Sequence, residues 1–333
     1  MEDLEDRPAV FEEQRFGGLD LEPFGASDPH AAYGFTRRGF QRFRPSDRLR
    51  GPDTVRRDLF AFSGDAMIFS IAHPTDLSPQ GTAAFEHALS LALANRCRLD
   101  VLHVDEPGEQ PSWSDFPQVR RTLQRWGLLQ PGAPIDAVSE TTGVEVRKVG
   151  IHDRDPVVGM ARYLDAHPTN LIVMASQGRA GLDRLLSSSV TADLVQAVRV
   201  PTLIFGPAAR PFIDPANGHR TIGKILVPVD HEPDPNDAIV LLEQIAETLG
   251  ATLDFVHVGS TPPALRDGRN GPRAVRAVEG PVVETLLAEA QGASVVAMPM
   301  AGARGLVDAL RGSTTERVVR DITCPVLALP AAQ

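Results

Sequence analysis

Residues 171–205 read LIVMASQGRAGLDRLLSSSVTADLVQAVRVPTLIF, and residues 295–329 read VVAMPMAGARGLVDALRGSTTERVVRDITCPVLAL. Each stretch opens on a short apolar run, crosses a loop of small residues, continues as a helical segment, and closes on Pro and a second apolar run. A shift of 124 positions carries Met174 onto Met298, Gly178 onto Gly302, Gly181 onto Gly305 and Leu182 onto Leu306. The same shift carries Leu186 onto Leu310, Ser189 onto Ser313, Thr191 onto Thr315, Val195 onto Val319 and Pro201 onto Pro325, with no gap. Self-similarity at one fixed offset marks an internal duplication.

Both copies extend toward the N-terminus of this stretch as alternating strands and helices. Met67 to Ala72 predicts a strand, and the Phe85, Ala88, Leu89, Ala92, Leu93 stripe predicts a helix buried on one face. Leu99–Val104, Val144–Val149 and Asn170–Ala175 predict further strands, with helices over Pro117–Leu129, Pro156–Ala166 and Ser189–Val198 between them and Pro201–Phe205 closing the copy. The order restarts with a strand at Lys224–Val229, a helix carrying Ala238, Leu241, Leu242, Ile245 and Leu249, and a strand at Thr252–Val258. The short segment Ala274–Val278, a helix near Pro281–Ala290, the strand Ser294–Met298, the helix Ser313–Asp321 and the strand Pro325–Leu329 follow. Strands that alternate with helices imply right-handed βαβ units and a mainly parallel sheet covered on both faces. Near the start of each copy the offset is 154, pairing Asp76 with Asp230. The second copy has therefore lost the counterpart of Trp113–Thr142 and carries the Gly/Pro-rich loop Gly259–Pro272 instead.

The length of 333 residues suits two domains, read as 65–210 and a shortened 221–333, behind an N-terminal arm over 1–64. The arm is acidic at first (Glu2, Asp3, Glu5, Asp6), then basic (Arg37, Arg38, Arg42, Arg44), with Phe35, Phe40 and Phe43 among the arginines. No period persists there, so an irregular or partly disordered segment is expected: an arm that grips a protein partner, an acidic surface or RNA, a solvated leader, or one that packs back on its own domains. A net charge of −10 disfavours general nucleic-acid binding. No apolar run reaches the length of a membrane span, and the first residues are not a signal peptide, so a cytoplasmic location is expected. Cys97 and Cys324 have no CxxC or Cys/His cluster around them and read as buried thiols, not zinc ligands or a disulfide.

Two features recur in both copies at positions that could carry chemistry. The first strand ends in Pro74-Thr75-Asp76 in one and Pro228-Val229-Asp230 in the other, at the sheet edge where ligands of open α/β sheets bind. After the fourth strand come Ala175-Ser176-Gln177-Gly178 with Ser187-Ser188-Ser189, and Pro299-Met300-Ala301-Gly302 with Arg311-Gly312-Ser313. Small residues let backbone N–H groups approach an anion, and the following helix start adds unsatisfied donors. Ser189 and Ser313 also suit plain helix caps.

This arrangement resembles the universal stress protein family, in two tandem copies from Met67 to Leu329. Its nucleotide-binding branch carries Gly, two residues, Gly, nine residues, then Gly and Ser or Thr, after an opening strand ending in Pro-x-Asp. The resemblance implies two tandem Rossmann-like α/β domains of the adenine-nucleotide α-hydrolase-like type, each a five-stranded parallel sheet sandwiched by helices. It further implies a non-catalytic, stress-responsive regulator that binds ATP or AMP with magnesium. The implied nucleotide contacts are Asp76, Gly178, Ser188 and Ser189 in the first copy and Asp230, Gly302, Gly312 and Ser313 in the second. In the family single domains pair through their last strands, so the two closing strands here are expected to pair within one chain as a pseudo-dimer, with a homodimer as a further option.

The sequence departs from the motif. Its first Gly is Ala175 in one copy and Pro299, which has no N–H, in the other, and the later Gly is Ser188 in the first copy. A nucleotide-free scaffold of the same fold is therefore the alternative reading. His103 and His257, which end the second strands, are explained by strand-end packing; His73 and His231 beside the aspartates are expected to face water or a ligand phosphate. His152, Asp153 and Asp155 lie near a helix start, without metal-ligand spacing. No GxSxG elbow, complete P-loop or nucleophile–base pair is present, so no covalent catalysis is expected. An adenylating or pyrophosphatase enzyme of a related fold would need a Ser/Gly-rich loop after the first strand, where His73-Pro74-Thr75-Asp76 and Val227-Pro228-Val229-Asp230 stand instead.

Overall fold

The computed structural model describes residues 10–16, 33–36, 39–42, 68–105, 112–176, 190–232, 234–269, 271–299 and 321–329. The chain divides into two units, Gly18–Ala66 on one hand and Met1–Gly17 with Met67–Gln333 on the other. In chain order the elements begin with β1 (Val10–Phe16), β2 (Tyr33–Thr36) and β3 (Gly39–Arg42). The first copy then contributes β4 (Ser70–Pro74), α1 (Thr82–Asn95), β5 (Arg98–Asp105), α2 (Val119–Arg125), α3 (Ala137–Thr142), β6 (Val146–His152), α4 (Pro156–Ala166), β7 (Leu171–Ala175), α5 (Val190–Ala197) and β8 (Thr202–Phe205). The second contributes β9 (Lys224–Pro228), α6 (Asn236–Leu249), β10 (Thr252–Val258), β11 (Leu265–Arg266), β12 (Pro272–Arg273), β13 (Val275–Val278), α7 (Val282–Ala290), β14 (Val295–Pro299) and β15 (Val326–Leu329). Within the Gly18–Ala66 unit, β2 and β3 form an antiparallel hairpin with Phe35 opposite Phe40.

The larger unit is built on one eleven-stranded sheet in the order β1-β6-β5-β4-β7-β8-β15-β14-β9-β10-β13. Each copy supplies five parallel strands in the doubly wound order third, second, first, fourth, fifth. The two five-strand sheets meet where β8 and β15 pair antiparallel, with Leu203 opposite Leu327 and Ile204 opposite Val326. The intrachain pairing of closing strands expected from the resemblance is thus present.

At the far edge the structure differs from the sequence reading, which placed no strand in the first 64 residues. β1 pairs antiparallel with β6, from Val10 opposite His152 to Phe16 opposite Val146. An open edge presents unpaired backbone donors and acceptors, which an added strand satisfies whatever its side-chain pattern. A segment with weak alternation therefore becomes a strand through its neighbour and not through its own sequence. Of the readings given for the arm, this stretch follows the one in which it packs back on its own domain.

Helices cover both faces of the sheet, which explains the near-continuous apolar strands. Ile71, Leu99, Val101, Val146, Leu171 and Val173 face one core layer, while Ala72, Leu102, Val149, Ile151 and Ile172 face the other with Tyr163 of α4. Helix α1 buries the expected Phe85, Ala88, Leu89 and Ala92, but also Glu86, His87 and Ser90 on its far side. Glu86 pairs with Arg125 of α2, while His87 and Ser90 are covered by the chain between the copies, 206–223, which runs back over them. Ser90 Oγ donates to the Gly218 carbonyl at 3.0 Å, and His87 Nε2 accepts from the Phe212 N–H at 3.1 Å while its Nδ1–H donates to the Ala83 carbonyl. Burial holds the His87 imidazole down at about 4, so it stays neutral between Phe205 and Phe212, each ring 4.3 Å away. Trp126, from the segment only the first copy carries, donates from Nε1 to the Pro215 carbonyl at 3.1 Å. Arg210 ties the same connection to the second copy through the Thr323 and Gln291 carbonyls. Both cysteines are free and buried, and burial pushes the thiols up to about 12 for Cys97 and about 11 for Cys324.

Candidate functional site

In each copy the first strand lies between the second and the fourth, the point where strand order reverses and a crevice opens beyond the carboxyl ends. Parallel pairing fixes equivalent atoms there: Pro74 lies opposite Leu102 in the first copy, and Pro228 opposite Val256 in the second. One residue on, the Thr75 N–H donates to the Leu102 carbonyl at 2.8 Å and the Val229 N–H to the Val256 carbonyl at 2.9 Å. The carbonyls of those same residues accept from a histidine of the neighbouring strand, Thr75 from His103 Nδ1 at 2.8 Å and Val229 from His257 Nδ1 at 3.0 Å. The matched histidines therefore fasten the end of the first strand and so place the aspartate that follows. This agrees with the strand-end packing expected of them.

Asp76 is half-buried and held: its Oδ1 accepts the Ser78 N–H at 3.1 Å and the Ser78 hydroxyl at 2.6 Å. Leu77 between them takes a left-handed backbone with φ 60°. Asp230 is 72 % exposed, and its Oδ1 accepts the His231 N–H at 2.8 Å. The structure corrects the expectation for His73, which is fully buried and faces neither water nor a phosphate. In a sheet covered on both faces, a strand residue one step from the edge has no solvent side. Its Nδ1–H donates to the Val173 carbonyl at 2.8 Å, and burial pushes the imidazole down to about 4 against the raising effects of that bond and of Asp76. His231 is exposed, as expected.

Of the other residues singled out in the sequence, Asp155 caps α4 through the Val157 and Val158 N–H groups, and Asp153 accepts the Asp155 N–H. Both roles are structural. Ala175 ends β7, and Pro299 lies opposite Leu329 in β14. Gly178, Ser188, Ser189, Gly302, Gly312 and Ser313 lie outside the described residues.

Two features escaped the sequence reading. Lys148 in the middle of β6 is buried, with Nζ 3.2 Å from the Trp113 carbonyl and 5.8 Å from the Phe116 ring centre, and burial pulls its ammonium down to about 8. Beyond the end of β9, a pocket of about 210 Å³ is lined by Pro228, Asp230, Val256, His257, Val282 and Leu286, among others. Asp230 and His257 of this lining form a group with His231, in which one nitrogen or oxygen of each residue lies within 4.8 Å of the other two. The histidines come from different strand ends, so no local spacing in the sequence signals the group.

Comparison with known proteins agrees with this architecture. The family model described as the universal stress protein family matches residues 67–206 and 264–330. The second segment begins after Asp230 and His257. None of the curated proteins compared matches in sequence. Among solved structures, a universal stress protein from Archaeoglobus fulgidus DSM 4304 is 18 % identical, covering 79 % of this chain and 97 % of its own with a TM-score of 0.50. A functionally unknown protein from Pseudomonas aeruginosa PAO1 is 19 % identical over 79 % of this chain and 93 % of its own, at a TM-score of 0.52. A putative universal stress protein from Pseudomonas aeruginosa UCBPP-PA14 is 19 % identical over 80 % of this chain and 95 % of its own, also at 0.52. At these identities the likeness speaks to fold alone. Among the described residues, no helix is long and apolar enough to cross a membrane.

Proposed function

Since the chain belongs to the universal stress protein family, we propose that it is a non-catalytic stress-response regulator that takes an adenine nucleotide, ATP or AMP, at the carboxyl edge of its first copy. The observation that carries this reading is Asp76. It sits at the switch point of the sheet, with its carboxylate oriented by Ser78 and its strand end fastened by His103. A carboxylate fixed before the ligand arrives loses less freedom on binding and favours a hydrogen-bond donor of defined position, such as an exocyclic amine. The first copy is preferred because the family model spans it without interruption, from 67 to 206. It also keeps the additional segment that places Trp113 and Phe116 beside His103, the Phe116 and His103 ring centres being 6.1 Å apart. Magnesium would reach such a site on the phosphates and not through a protein cage.

Native mass spectrometry of the full chain with ATP and magnesium, or AMP, tests the reading. One adduct is expected, weakened at least about tenfold in Asp76→Ala, the scale of one lost charge-assisted hydrogen bond. Absence of an adduct at millimolar nucleotide would refute it and favour a nucleotide-free scaffold of the same fold. Pro299 favours that second reading for the second copy, since it offers no N–H where the motif has glycine.

A further inference from the structure

The two copies differ at the sheet edge in a chemically directed way. At the offset of 154, His103 corresponds to His257 and Asp76 to Asp230, whereas Leu77 becomes His231 and Asp105 becomes Gly259. In the first copy the far nitrogen of the strand-end histidine is engaged, with His103 Nε2 3.1 Å from Asp105 Oδ1. In the second copy that carboxylate is gone. A Cβ added at Gly259 would stand 2.6 Å from His257 Nε2, so a side chain here would crowd this nitrogen, and glycine leaves neither side chain nor carboxylate against it. The same copy gains an imidazole one residue after its aspartate. One substitution thus frees a donor and the other adds one.

The hydrogen bonds fix which nitrogens are available. His257 donates its Nδ1–H to the Val229 carbonyl at 3.0 Å, leaving the lone pair on Nε2. His231 donates its Nε2–H to the Thr261 carbonyl at 2.9 Å, leaving the lone pair on Nδ1. Metal-binding imidazoles are oriented in this way, the second ring nitrogen donating to a backbone carbonyl or carboxylate. The rings meet edge to face with centres 5.5 Å apart, and Asp230 supplies an exposed carboxylate whose Oδ1 stands 3.8 Å from His257 Nδ1.

We propose that the second copy holds a divalent transition cation of the zinc type between Asp230, His231 and His257. Two imidazoles and one carboxylate suit such an ion, whereas magnesium and calcium favour oxygen-only shells. A tetrahedral ion at about 2.1 Å from each ligand needs its ligand atoms about 3.4 Å apart; here one nitrogen or oxygen of each residue lies within 4.8 Å of the other two, and Asp230 Oδ1 stands 3.8 Å from His257 Nδ1, on the same ring as the free Nε2. The site closes by rotation of the exposed Asp230 and His231 side chains toward the anchored His257. Three protein ligands leave a coordination position facing the pocket of about 210 Å³, open to water or to an anionic group. The proposal does not rest on nucleotide binding by the first copy.

Equilibrium dialysis of the full chain against Zn²⁺ without nucleotide, with metal analysis, provides the test; Co²⁺ gives a visible spectrum that reports coordination. About one equivalent is expected, with affinity falling at least about tenfold in His231→Leu, which restores the residue of the first copy, and in Asp230→Asn. His231 and Asp230 are exposed, so circular dichroism should show both variants folded. Asp76→Ala should leave zinc binding unchanged, which separates this result from the nucleotide reading. Failure to bind Zn²⁺ at micromolar free metal, or binding that survives His231→Leu, overturns the proposal.

Discussion

Gly218 lies in the connection between the copies with φ +71°, and a Cβ built there would fall 2.6, 2.7 and 2.9 Å from three ring atoms of Trp126. Gly218→Ala therefore has two separable costs. A side chain in the left-handed region costs about 1–2 kcal/mol. Overpacking against a buried indole, which has only 7 % of its surface exposed and cannot retreat without stretching its bond to the Pro215 carbonyl, adds about 1–3 kcal/mol. The sum is about 3 kcal/mol, measurable as a lowered urea midpoint at unchanged slope. A double-mutant cycle separates the terms. Trp126→Ala alone should cost about 3–5 kcal/mol through the cavity it leaves. With the indole gone, Gly218→Ala should cost only its backbone share, giving a coupling of about 1–3 kcal/mol. A Gly218→Ala variant within 0.5 kcal/mol of wild type, or a cycle with no coupling, would refute the idea that Trp126 clamps the connection; 0.5 is about the usual scatter of surface substitutions.

Two further outcomes follow from buried groups. His73 and His87 have folded values near 4 against about 6.5 when unfolded, so only the unfolded chain takes up their protons between those values. Their contribution is complete above about pH 6.5 and is lost as pH falls toward 4. Denaturant unfolding should show about 2 kcal/mol lost per histidine between pH 7.5 and 5, roughly halved in His87→Gln if the variant keeps the bond from Phe212. Cys97 and Cys324, buried with raised thiol values, should react with a thiol reagent only at the rate of unfolding; fast labelling of either in native buffer would contradict their placement.

The duplicated architecture was legible because periodicity and offset are local signals. The α1 stripe and the ungapped repeat each specify an element without reference to the rest of the chain, and the paired closing strands followed from the resemblance. What escaped depended on partners. β1 is a strand because β6 leaves an edge to fill. His73 reads as a polar residue beside an aspartate, and only two-sided burial of β4 turns it inward. His87 breaks the apolar pattern of α1 because the connection between the copies supplies Phe212 N–H for it to accept. Asp76 and Asp230 stand out in the sequence because they repeat. The histidine pair was missed because its members are brought together by parallel register, although the exchanges of Leu77 for His231 and Asp105 for Gly259 were visible at the offset of 154.

The β8–β15 seam has an evolutionary corollary. A homodimer assembled through such a seam must carry every substitution twice, so a change that helps one half is imposed on the other. Here the seam is internal, and its halves are tethered and survive dilution. Each half is then free to mutate alone: the first carries Asp105 and a long cover over the edge, while the second has Gly259, no such cover, and a histidine where the first has Leu77. Fusion turns a symmetric assembly into a heterodimer encoded by one gene, whose two sheet edges need not serve the same purpose.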